Sequence, residues 1–80
     1  MEIKLQAFGI AKDILGSSKT NIHVENVVDI HGLKQQLIQS YPEFEKLKSL
    51  KFALHESYVD DEALLKDGDE VVIIPPVSGG

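Results

Sequence analysis

The chain has 80 residues, 42% of them hydrophobic and 26% charged, with no cysteine and with 13 acidic against 8 basic side chains, for a net charge of −5. That composition describes one globular domain near the lower size limit for an unassisted core, and it excludes a disulfide scaffold, a thiolate metal site and a cysteine nucleophile. The acidic balance disfavours nucleic acid as a partner and favours proteins with basic docking surfaces.

The start, Met1-Glu2-Ile3-Lys4, lacks a charged segment followed by an apolar run, and nowhere does the chain approach the roughly 20 apolar residues that cross a bilayer. A cytoplasmic protein without a membrane is expected. The first segment alternates, with Ile3, Leu5 and Ala7 on one side and Lys4, Gln6 and Phe8 on the other, which predicts a half-buried strand closed by Gly9. A short helical turn is predicted from Ile10 to Leu15, stopping at Gly16, and a second strand from Thr20 to Val24 with Ile22 and Val24 inward. Ile30, Leu33, Leu37, Ile38 and Tyr41 then form one apolar stripe, the main helix, with Asp29 as its N-cap and Pro42 at its far end. Gly32 in its first turn costs about 1 kcal/mol against alanine, which points to close packing there.

Beyond Pro42, one more helical turn is expected through Phe44, Leu47 and Leu50, followed by a strand from Lys51 to His55. Glu56-Ser57 is expected to turn the chain into a short Tyr58-Val59 strand. Asp60-Asp61-Glu62 reads as a loop, Leu64 and Leu65 as a return to the core, and Asp67-Gly68 as the turn that launches a last strand, Val71 to Ile74. One main helix among five strands implies an α+β fold, a mixed sheet over a single helix. Val71 to Ile74 is apolar on both faces, so it and the first strand are expected side by side at the sheet centre.

Few side chains suggest catalysis. His23, His31 and His55 show no ligand-like spacing, the acidic runs lack the pattern of a calcium loop, and no serine has an evident base beside it. No metal site is expected. The informative region is the end, Pro75-Pro76-Val77-Ser78-Gly79-Gly80. Prolines hold the backbone extended and glycines pass where no Cβ fits, so a residue 75–80 tail reaching about 20 Å beyond a residue 1–74 domain suits insertion into another protein's active site. The Gly80 carboxylate is then the reactive group. At the root of the tail, Phe8, Tyr58 and Ile74 fall outside the expected core and make a candidate apolar docking patch.

The stretch from Leu65 to Gly80 joins an Asp-Gly-Asp-Glu turn, an apolar strand and a Pro-Pro-Val-Ser-Gly-Gly ending in that order. With Phe8 ahead of a short helix, and Ala53-Leu54-His55-Glu56 ahead of Tyr58-Val59, the chain resembles the small subunits of molybdopterin synthases, within the ubiquitin-like β-grasp sulfur carriers. These commonly carry an asparagine where this chain has His55. The resemblance implies a β-grasp fold with a flexible C-terminal tail and a carrier without a catalytic site of its own, acting in a heterotetramer with the large catalytic subunit. An E1-like adenylating enzyme would activate Gly80 with ATP and magnesium. A sulfur donor protein would then leave a thiocarboxylate, and the sulfur would pass to cyclic pyranopterin monophosphate in molybdenum cofactor biosynthesis. No cofactor is implied for the carrier itself. Gly79 and the Pro75, Pro76, Val77, Ser78 segment would thread the partner, with Phe8, Tyr58 and Ile74 as docking contacts. The alternatives are a thiamin-thiazole sulfur carrier, a ubiquitin-like modifier conjugated through Gly80, and a β-grasp binding module whose tail is inert.

Overall fold

The first alternating segment forms a strand in the computed structural model, which describes residues 1–47 and 50–75. Strand β1 (Glu2–Ala7) buries Ile3, Leu5 and Ala7. It runs antiparallel to β2 (Lys19–His23), with Ile3 opposite Ile22 and Leu5 opposite Thr20. This second strand starts and ends one residue earlier than predicted; Val24 is still buried, and its N–H donates to the Met1 carbonyl at 2.9 Å. Between the two strands lies α1 (Gly9–Leu15), a seven-residue helix whose one buried side chain is Ala11. Gly16 ends it in the left-handed conformation (φ 81°) that side chains resist, and donates its N–H to the Lys12 carbonyl at 2.8 Å.

The main helix, α2 (Ile30–Ser40), buries Ile30, Leu33 and Leu37 against the sheet, each contributing roughly 1.5–3 kcal/mol by leaving water. Asp29 caps it as expected, its Oδ1 accepting the Gly32 N–H at 2.9 Å. A Cβ at Gly32 would stand 3.3 Å from Val27 Cγ1 and 3.4 Å from Asp29 Oδ1, which accounts for glycine in a helical first turn. Pro42 opens a 3-10 helix (Pro42–Lys46) that buries Phe44 edge-on to Tyr41, with ring centroids 6.1 Å apart. This turn is shorter than predicted. It ends at Lys46, and Leu47 and Leu50 are only partly buried.

Strand β3 (Lys51–Leu54) and β4 (Ser57–Val59) form a hairpin. Its turn residues are His55 and Glu56, not Glu56 and Ser57 as expected. Leu54 pairs with Ser57, leaving two residues to reverse the chain, both at positive φ (51° and 69°). The Asp67-Gly68 turn was read correctly: the Gly68 N–H reaches the Glu2 carbonyl at 2.7 Å and sets β5 (Glu70–Ile74) in place. Strand β5 is the middle strand of the order β2-β1-β5-β3-β4, parallel to β1 and antiparallel to β3. A mixed five-stranded sheet packed on one main helix is the expected α+β, β-grasp architecture.

The segment between β4 and β5 straps the start of α2. The N–H groups of Ile30 and His31 donate to the Ala63 and Asp61 carbonyls at 3.0 and 2.9 Å, and Leu65 donates to Val28 at 2.9 Å. Leu65 enters the core, but Leu64 does not, contrary to the sequence reading: it is 73% exposed. Leu64 bridges the backbone of Asp29 in an extended conformation, where adjacent side chains point to opposite sides and only one of the two leucines can face inward.

Candidate docking face at the root of the tail

Strand register fixes the face of the sheet turned away from α2. Ala7, Ile73, Phe52 and Val59 lie level across four strands on the inner side. One residue away, Gln6, Val72, Ala53 and Tyr58 form the corresponding outer row. Next toward the tail, Ile74 pairs with Lys51, and Phe8, which follows Ala7, stands level with Ile74 because β1 and β5 are parallel. The predicted docking residues Phe8, Ile74 and Tyr58 therefore converge on the tail end of one sheet face, with Val72 and Ala53 between Ile74 and Tyr58. Sequence reasoning missed those two. Their signal was present in the unbroken apolar runs Phe52-Ala53-Leu54 and Val71-Val72-Ile73, where every second residue must face outward.

Exposure separates the members of this face. Tyr58 is 69% exposed on a three-residue edge strand, Phe8 is 50% exposed, and Ile74 is partly covered. Phe8 precedes α1 in extended conformation (φ −129°, ψ 161°), and its ring has no polar atom with which to cap the helix. Gly9 follows at φ 55°, and a Cβ there would meet Pro75 Cγ at 3.4 Å. The last described residue of the tail therefore packs over the turn joining β1 to α1, where a residue lacking a side chain leaves room. Pro76, Val77, Ser78, Gly79 and Gly80, the remainder of the predicted site, lie outside the described residues.

An open groove of about 810 Å3 adjoins this face on the β4 side. It is lined by apolar Leu50, Phe52, Tyr58 and Val59, and by Lys51 and the acidic run Asp60 to Glu62. The histidines are scattered elsewhere. His23 approaches Glu2 and Glu25 at 3.7 and 3.5 Å, His31 approaches Asp61 at 3.8 Å, and His55 sits in the hairpin turn. Among the described residues no three histidine or carboxylate side chains are grouped as metal ligands would be, and no helix is long and apolar enough to cross a membrane.

The sequence profile of the ThiS family matches residues 5–80, nearly the whole chain. The chain belongs to the ThiS family. Over its full length it is 36% identical to a molybdopterin synthase sulfur carrier subunit from Chlamydomonas reinhardtii, which it also covers completely. Among solved structures it is similar to a chain in the complex of subunits 1 and 2 of the molybdopterin-converting factor from Helicobacter pylori, at 28% identity and a TM-score of 0.68, with both chains fully covered. A chain described as a molybdopterin-converting factor subunit 1 from Pyrococcus furiosus superposes with a TM-score of 0.84 over 96% of this chain and 99% of its own; at 21% identity this supports the fold. The ThiS family match includes both glycines at the end of the chain and the strand that leads into them.

Proposed function

We propose that this chain is the sulfur-carrier subunit of a molybdopterin synthase and that it works in the cytoplasm. Its full-length identity to a molybdopterin synthase sulfur carrier subunit carries this reading. The placement of Phe8, Ile74 and Tyr58 at the root of the Gly-Gly tail supports it.

A carboxylate is a poor acyl donor, so the Gly80 oxygen first attacks the α-phosphate of ATP in an E1-like enzyme, releasing pyrophosphate and leaving an acyl-adenylate. A sulfide-level sulfur from a donor protein then displaces AMP; where the donor sulfur is a persulfide, a thiol reduces the resulting acyl disulfide, breaking its S–S bond, and Gly80 is left as a thiocarboxylate. The large synthase subunit receives this tail. The sheet face around Phe8, Ile74 and Tyr58 supplies the contact area, and Pro75, against Gly9, aims the exit of the chain. The thiocarboxylate sulfur attacks cyclic pyranopterin monophosphate, and water cleaves the resulting thioester at its acyl carbon, leaving the sulfur on the pterin and regenerating the carboxylate. The carrier acts as a recyclable substrate, and the chemistry resides in its partners.

The test combines intact-mass spectrometry with a pterin-conversion assay. Wild-type chain incubated with an E1-like enzyme, ATP, magnesium and a sulfur source gains the mass of one sulfur for one oxygen, located in the C-terminal peptide, and then supports dithiolene formation with the large subunit. Deleting Gly80, or adding one residue after it, abolishes both readouts while the urea melting curve stays unchanged. A Gly80-deleted chain that delivers sulfur at the wild-type rate would refute the carrier mechanism. A thiocarboxylate that forms but is used only by a thiazole-forming system would move the chain to a different acceptor.

A further inference from the structure

From the groove beside β4 we infer that the partner taking up the tail anchors itself with a cationic side chain, arginine or lysine, on a protein segment laid between Tyr58 and the acidic run Asp60 to Glu62. This inference rests on the reading given under Proposed function and adds the chemistry of the contact. The groove is continuous with the docking face, because Tyr58 belongs to both and Lys51, another lining residue, pairs in register with Ile74. Its volume of about 810 Å3 accommodates several side chains of a segment, well beyond a bare ion.

The lining decides the kind of segment. Leu50, Phe52, Tyr58 and Val59 offer apolar wall, while Asp60, Asp61 and Glu62 set three carboxylates against the single ammonium of Lys51. Asp61 is engaged from the other side, with Lys34 Nζ at 3.4 Å and His31 Nδ1 at 3.8 Å. Asp60 and Glu62 are exposed, and among the described residues neither forms an ion pair. The loop that carries them is held in place. Asp60 Oδ1 accepts the Glu62 N–H at 3.2 Å, and the carbonyls of Asp61 and Ala63 accept the first N–H groups of α2. A pair of exposed carboxylates on a tethered loop, Asp60 oriented by the Glu62 N–H, beside an exposed aromatic ring suits a long cationic side chain, which lays its methylenes on the apolar wall and its charge over the ring and between the acids. In a chain of net charge −5, the same carboxylates also attract a basic partner from a distance and speed its association.

The experiment measures affinity of the purified large synthase subunit for the full-length chain, wild type against Asp60→Asn/Glu62→Gln. Asp61 is left intact because it tethers α2. Titrations run between about 0.1 and 1 M salt, over which the screening length falls from about 10 Å to about 3 Å. The double variant is expected to bind roughly tenfold more weakly at low salt and to lose most of the salt dependence. Asp60→Lys/Glu62→Lys should bind more weakly still, with partial recovery when the facing arginine or lysine of the large subunit is changed to glutamate. Equal affinity and equal salt dependence for wild type and double variant would overturn the groove inference alone. Wild-type chain that fails to bind the large subunit would overturn both readings. Self-association of the wild type that the double variant loses would assign the groove to a second copy and overturn it as well.

Discussion

Replacing Tyr58, Phe8 and Ile73 in turn by alanine should divide the loss differently between binding and folding, because the three side chains differ in how much surface remains free. Tyr58 is 69% exposed, Phe8 50% and Ile73 0%. Taking about 200 Å2 for an aromatic side chain, Tyr58 leaves ~140 Å2 for a partner and already buries ~60 Å2. At about 25 cal/mol per Å2 these areas are worth ~3.5 kcal/mol in binding and ~1.5 kcal/mol in folding, upper bounds because alanine keeps its Cβ. For Phe8 the two halves are equal, at ~2.5 kcal/mol each on the same scale. Ile73→Ala should cost about 2–5 kcal/mol of folding free energy and nothing in affinity per folded molecule. The assay pairs calorimetric titration of the large synthase subunit with urea melts of the free carrier. Binding loss should exceed folding loss about twofold for Tyr58→Ala, match it for Phe8→Ala, and vanish for Ile73→Ala, an ordering that follows from exposure in the structure alone. If Tyr58→Ala destabilises the fold and leaves affinity intact, the outer sheet face is not the docking surface.

Three further outcomes follow from the backbone and the core. His55→Asn with Glu56→Gly should raise stability by about 1–2 kcal/mol, since both turn positions have positive φ, and thermal melts should shift upward by several degrees with sulfur delivery unchanged. Gly9→Ala should cost about 1 kcal/mol from its left-handed conformation and also slow sulfur transfer, because the new Cβ would meet Pro75 Cγ at 3.4 Å; a variant that melts early yet transfers at the wild-type rate would show that Pro75 has no role in aiming the tail. Leu64→Gln should change stability by less than about 0.5 kcal/mol while Leu65→Ala costs about 2–4 kcal/mol, which equilibrium urea unfolding of the two variants distinguishes directly.

The features legible in the sequence were those set by local periodicity. Alternation through Ile3, Leu5 and Ala7 announces a half-buried strand, and the stripe from Ile30 to Leu37 announces a helix whose cap, Asp29, precedes it by one residue. The hairpin turn was misplaced because His55-Glu56 carries none of the glycine or asparagine that a two-residue turn favours; pairing of β3 with β4 and β5 imposes a conformation the residues themselves do not prefer. Leu64 was misread because composition does not show which of two adjacent leucines faces inward, a choice made by the backbone bridge to Asp29. The outer sheet face near the tail was visible in part, as Phe8, Tyr58 and Ile74 are among the apolar residues that break the inward pattern. The groove was not visible at all, since Leu50, Tyr58 and Glu62 meet only after β3 and β4 have folded together.

The central position of the last strand ties recognition to completion of the fold. Strand β5 is the final described strand in the chain, yet it sits between β1 and β3, so the sheet cannot close until the end of the polypeptide has been inserted into its middle. Such long-range pairing makes folding slow relative to a helical protein of the same size. It also makes the outer face near the tail a product of the finished fold. Phe8 and Ile74 come from opposite ends of the chain and become neighbours only when β1 and β5 have paired, so an enzyme that grips both before touching the terminal glycine would charge finished molecules and pass over truncated or partly folded ones.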